Sequence, residues 1–91
     1  MKINSYLQGN ILIKYGYNFE VINDYSLSVE PIDAYVKYLR RKRIVIDIQS
    51  KEVYLYKKVK TYYGDKWVRI PIKRKFVKDI ESLLVLEATD Y

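Results

Sequence analysis

Residues 43–73 read RIVIDIQSKEVYLYKKVKTYYGDKWVRIPIK, and they carry the period-two alternation of a three-stranded antiparallel meander. One face collects Ile44, Ile46 and Ile48, then Val53, Leu55, Val59 and Thr61, then Val68, Ile70 and Ile72. The opposite face collects Arg43, Val45, Asp47 and Gln49, then Tyr54, Tyr56, Lys58, Lys60 and Tyr62, then Trp67, Arg69, Pro71 and Lys73. The first face is apolar and reads as core. The second is aromatic and basic.

Turn chemistry proposes a register. Gly64-Asp65 as a two-residue hairpin turn, with Gly supplying positive φ, sets Tyr62 opposite Trp67, Lys60 opposite Arg69, Val59 opposite Ile70 and Tyr56 opposite Lys73. Ser50-Lys51 as the other turn pairs Ile48 with Val53 and Ile46 with Leu55, although Ser-Lys suits a longer loop better. Lys57 is the misfit on the core side and is expected to extend its ammonium to solvent near a sheet edge.

Working outward, residues 2–8 and 11–15 read as an N-terminal β-hairpin about Gly9-Asn10, with strand character running on toward Ile22 and Gly16 marking a bulge or a turn. Asn23–Glu30 is a polar connection. From Pro31 to about Lys42 the spacing of Ile32, Tyr35, Val36 and Leu39 predicts a helix, with Pro at its start and the basic run from Arg40 to Arg43 at its end. Phe76, Ile80, Leu83 and Leu84 predict a second helix reaching about Glu87, although the run Leu83–Leu86 also fits a last strand. The tail Ala88–Tyr91 is expected to fray. The expected fold is therefore α+β: one domain over residues 1–91, with an N-terminal β-hairpin, a helix, the meander, and a C-terminal helix packed on the apolar sheet face. Whether the N-terminal strands join the main sheet stays open at this point.

Composition narrows the chemistry. The chain has 91 residues with no Cys and no His, so disulfides, thiolate zinc sites and the commonest general base are missing. No Asp or Glu is followed two residues later by Lys, which removes the (D/E)xK element of metal-dependent nucleases; no GxGxxG and no P-loop occur. We expect no enzymatic activity, no cofactor and no metal. No stretch is long and apolar enough to span a bilayer, and the N-terminus lacks a signal peptide's apolar core, so a cytoplasmic protein without a membrane partner is expected. Richness in Lys, Ile and Tyr suits a thermophile's protein, an AT-rich genome, or a virus or plasmid.

Charge is strongly segregated. Residues 1–36 hold two basic and four acidic side chains, residues 37–78 fifteen basic and three acidic, and residues 79–91 four acidic only. An anionic partner over the middle of the chain follows. Arg43, Tyr54, Tyr56, Lys58, Lys60, Tyr62, Trp67, Arg69 and Lys73 combine cations for phosphate with rings for base stacking, and they are the expected nucleic-acid-binding set. Both single strands and duplex DNA fit, the latter through a sheet lying on the minor groove. The competing reading takes the same aromatic face as a protein interface, either a homodimer seam or the surface of a small inhibitor of a host protein. A third reading buries that face within the chain itself, under the N-terminal strands.

Overall fold

The structure, a computed structural model, describes residues 1–88. Elements run α1 (Gly9–Lys14), β1 (Asn18–Ile22), β2 (Ile32–Leu39), β3 (Lys42–Asp47), β4 (Val53–Thr61), β5 (Gly64–Ile70) and α2 (Arg74–Ala88). The strands form one antiparallel sheet in the order β1-β2-β3-β4-β5, so every strand pairs with its neighbour in sequence. This is an α+β fold built on a meander two strands longer than the sequence pattern indicated.

The largest correction is residues 31–42. They form strand β2 and the turn after it, not a helix. Ala34 and Val36 are buried on one sheet face, while Tyr35 packs into the core on the other. A central strand covered on both sides has a nearly continuous apolar run, and such a run also satisfies helical spacing. The basic run is not a helix end. Leu39 pairs with Lys42, and Arg40-Arg41 form the tight turn between them, Arg41 taking a left-handed φ of 57°.

The N-terminal β-hairpin is also replaced. Gly9–Lys14 is a short helix that buries the adjacent residues Ile11 and Leu12, a pairing that strand alternation forbids. Lys2 makes only an isolated bridge to Glu52. The strand beyond begins at Asn18 and does join the main sheet, along β2.

The apolar face packs as expected over β3 and the start of β4, but Thr61 and Val68 of the same face are exposed and Val59 is only partly buried, because no helix covers the sheet there. Ile44, Ile46 and Val53 meet Val77, Ile80 and Leu84 of α2, with Ile3, Ile11, Leu12 and Tyr17 closing the core. Helix α2 runs through Leu83–Leu86, so the last-strand alternative falls; Val85 and Leu86 lie on its exposed side. The expected fraying falls on the last residues, of which 89–91 lie outside those described.

Both proposed registers move by an even number of residues. Tyr56 faces Arg69, Lys58 faces Trp67, Lys60 faces Asp65 and Thr61 faces Gly64, so the turn is Tyr62-Tyr63 and not Gly64-Asp65. Gly64 still supplies positive φ (115°), as the residue that follows the turn. On the other side Ile46 pairs with Val53 and Ile44 with Leu55, because the connection takes in Ile48–Lys51 rather than two residues. An even shift leaves every side chain on its face, which is why the face assignment survives although the partners change.

The second face carries a smaller core of Ile22, Ala34, Val36, Val45 and Tyr56, joined by Leu27, Tyr54 and Trp67. Leu27 comes from the connection between β1 and β2, which folds back over the sheet. Asp24 shapes that loop by accepting from the Ser26 amide (3.0 Å) and the Ser26 hydroxyl (2.6 Å). Part of the aromatic face is thus buried within the chain, under a loop rather than under strands.

Candidate nucleic-acid interface

Strand β3 starts at Lys42, which faces Lys57. Beyond that point β4 and β5 continue as a two-stranded ribbon with four more facing pairs, from Lys58–Trp67 to Thr61–Gly64. The molecule is elongated, 51 × 26 × 22 Å. The faces of this two-stranded arm follow from the register. Lys57, Val59, Lys66 and Val68 lie on one, continuous with the helix-covered side; Lys58, Lys60, Asp65 and Trp67 lie on the other. At the tip Tyr62 and Tyr63 are 95% and 94% exposed, with their rings edge to face at 5.2 Å. Residues 57–68 hold four lysines against one carboxylate, Asp65. The turn Arg40-Arg41 adjoins the base of the arm, since the Lys58 amide donates to the Arg41 carbonyl at 2.8 Å. With Lys42, it brings three more exposed cations to this end of the sheet.

The base of the arm is a cation–aromatic stack. The Arg43 guanidinium lies 4.6 Å from the Tyr56 ring centroid and 4.8 Å from that of Trp67. Lys58 Nζ approaches the same indole at 5.4 Å, and Tyr38 tilts against it at 6.0 Å. Such contacts are worth about 0.5–1 kcal/mol when exposed and about 2 when desolvated. Next to the stack Tyr56 donates its hydroxyl proton to Asp24 at 2.7 Å, and Arg69 Nε stands 3.9 Å from the same carboxylate. Burial works to raise the Asp24 carboxyl, but hydrogen bonds from Ser26 and Tyr56 and the charge of Arg69 outweigh it, and the group titrates below its ordinary value. A cleft of about 760 Å³ opens here, lined by Asn23, Asp24, Tyr25, Arg43, Trp67 and Arg69 among others.

The structure sorts the expected binding residues into three groups. Arg43 and Tyr56 are largely buried, with 8% and 2% exposure; both border the cleft, with the Arg43 guanidinium packed against the Tyr56 and Trp67 rings. Tyr54, Lys58, Trp67 and Arg69 stand together around the cleft and the base of the arm, partly exposed. Lys60 and Tyr62 are exposed on the arm itself. Lys73 is not brought to the site: with the register moved, Arg69 occupies the place across from Tyr56, and Lys73 lies past the end of β5 at the opposite end of the sheet. The like-charge pair Lys60–Arg69 likewise does not form, and Lys42–Lys57 is the one present.

Lys57, Tyr63, Lys66 and Tyr38 were not in the expected set. Placing the turn at Tyr62-Tyr63 would have put Tyr63 at the tip; the signal was the Tyr-Tyr-Gly order, in which Gly follows a turn as its left-handed residue. Among the described residues no group of three or more candidate ligands could hold a metal ion, and no helix is long and apolar enough to cross a membrane. No family model, curated protein or solved structure matches the chain.

Proposed function

We propose that this protein is a non-enzymatic nucleic-acid-binding protein of the cytoplasm, and that the β4–β5 arm with the adjoining Arg40–Lys42 corner forms its contact surface. The observation that carries this reading is the arm: a projecting ribbon with four lysines, one carboxylate and two fully presented tyrosines. Lys73, Arg74, Lys75 and Lys78 make one basic group past the end of β5. At the opposite end Asp24 is engaged by Tyr56 and Arg69 at the arm's base, and Arg40, Arg41 and Lys42 adjoin the arm's four lysines. Phosphate would relieve the repulsion among these lysines and release counterions as it bound.

Trp67 is the single tryptophan and sits at the base of the arm. Titration of its fluorescence with short DNA at low salt should show a saturable change that high salt reverses. No change with either single strands or duplex at low salt would refute the reading.

Tyr62 and Tyr63 support a second reading, since exposed tyrosines are common anchors of protein interfaces. A self-associating protein would sediment as a dimer at high salt, and Tyr62→Asp would return it to monomer.

A further inference from the structure

Both faces of the arm are basic. Lys57 and Lys66 lie on one, Lys58 and Lys60 on the other, and the helices α1 and α2 cover neither, since their core contacts stop at the sheet residues Ile44, Ile46, Val53 and Leu55. A sheet that lies flat on a nucleic acid needs cations on one face only. A ribbon with two lysines on each face, one carboxylate (Asp65, across from Lys60) and an uncharged Tyr-Tyr turn is suited to stand between two phosphate walls. We infer that the arm enters the major groove of duplex DNA tip first, with the lysines of each face against one phosphate wall and Tyr62-Tyr63 at the groove floor. This rests on the nucleic-acid reading above and names its substrate.

Dimensions select the groove. Sheets pack face to face about 10 Å apart, so a ribbon with side chains on both faces is about 10 Å thick. The major groove of B-DNA is about 12 Å wide and about 8.5 Å deep and admits a two-stranded ribbon, whereas the minor groove is about 6 Å wide. Four facing pairs beyond β3 reach about 14 Å at about 3.4 Å per residue, more than the groove depth. Duplex RNA is excluded by the same measure, because its major groove is deep and narrow. At the floor, the tyrosine rings offer apolar contact to thymine methyl groups and hydroxyls to base edges. The Arg40–Lys42 corner beside the arm's base then meets the flanking backbone.

The test is fluorescence anisotropy with a labelled DNA duplex, the matching single strand, the matching RNA duplex, and a DNA duplex whose cytosines carry glucosylated hydroxymethyl groups that fill the major groove. The expected order is unmodified DNA duplex tightest, with at least about a tenfold loss for glucosylated DNA and for RNA. A minor-groove-filling bis-amidine should leave binding unchanged. The paired variants Lys57→Glu/Lys66→Glu and Lys58→Glu/Lys60→Glu should each weaken duplex binding, and circular dichroism will report whether each remains folded. Equal binding to glucosylated and plain duplex, preference for the single strand, or loss in only one folded variant would overturn groove insertion while leaving nucleic-acid binding in place. Binding to none of the four probes would overturn both.

Discussion

Lys42 of β3 stands directly across from Lys57 of β4, at the last rung before the sheet narrows to the two-stranded arm. Like charges facing each other in a sheet are unfavourable, and opposite charges contribute roughly 0.2–1 kcal/mol. The fold tolerates the pair because both side chains are exposed and extend into solvent. It follows that Lys57→Glu should act in opposite directions on folding and on binding. Urea denaturation should show stability unchanged or raised by up to about 1 kcal/mol. DNA affinity should fall. A variant that loses stability and affinity together would mean that Lys57 is structural.

The bond from Tyr56 to Asp24 fastens the β1–β2 loop to the sheet. A hydrogen bond to a charged acceptor is worth about 1.5–3 kcal/mol, and partial solvent access to Asp24 places this one toward the lower value. Tyr56→Phe is expected to cost about 1–2 kcal/mol in urea denaturation. Amides of residues 24–28 should exchange faster, while those of α2 change only with global stability.

Stability should fall at both ends of the pH scale, for different reasons. Burial pushes the Tyr17 hydroxyl up to about 12, and burial together with the bond to Asp24 pushes Tyr56 higher still. An unfolded tyrosine ionises near 10. The stabilisation is therefore complete below about pH 10 and declines above it as the unfolded chain loses protons first. At the acid end Asp24 titrates below its unfolded value, so its contribution is present above about pH 4 and is lost as pH falls through the folded value. Denaturation midpoints measured across pH should show both limbs. Tyr17→Phe should flatten the alkaline limb and Asp24→Asn the acid one.

Gly64 follows the arm's turn with φ of 115°, and a Cβ there would touch nothing within 4 Å. Any effect of Gly64→Ala is therefore a backbone effect, of about 1–2 kcal/mol by analogy with other left-handed positions. Because the arm is only two strands wide, the loss should be local. Hydrogen exchange at the arm's paired amides should speed up about 5- to 30-fold. The amides of β3 should be unaffected.

The sequence was most informative where one sheet face is aliphatic and the other mainly aromatic and charged, even though β3 is packed on both. From β3 to β5 the alternation told the two faces apart, and an even register shift left that assignment intact. It was least informative at β2. There Tyr35 on one side and Ala34 and Val36 on the other are all packed, so alternation vanished and Ile32, Tyr35, Val36 and Leu39 matched a helix by spacing. The remaining clue was the apolar stretch on each side of Arg40-Arg41, which reads as two strands about a tight turn. At the candidate site, residue types were legible but exposure was not. Nothing in the sequence around Arg43 and Tyr56 shows that Asp24 and Leu27 fold back over them, because that packing spans more than fifteen residues. The arm became visible only once the β4–β5 register was known.

The most direct measurement is the salt dependence of duplex binding, for the native chain and for a variant with Lys57, Lys58, Lys60 and Lys66 all changed to Ala. The slope of log affinity against log salt becomes shallower by about 0.9 for each phosphate that is no longer neutralised. If the arm's lysines neutralise those phosphates, the variant's slope should be shallower by about 3–4. A variant that stays folded and keeps both the native slope and the native affinity would contradict a role for the arm in binding.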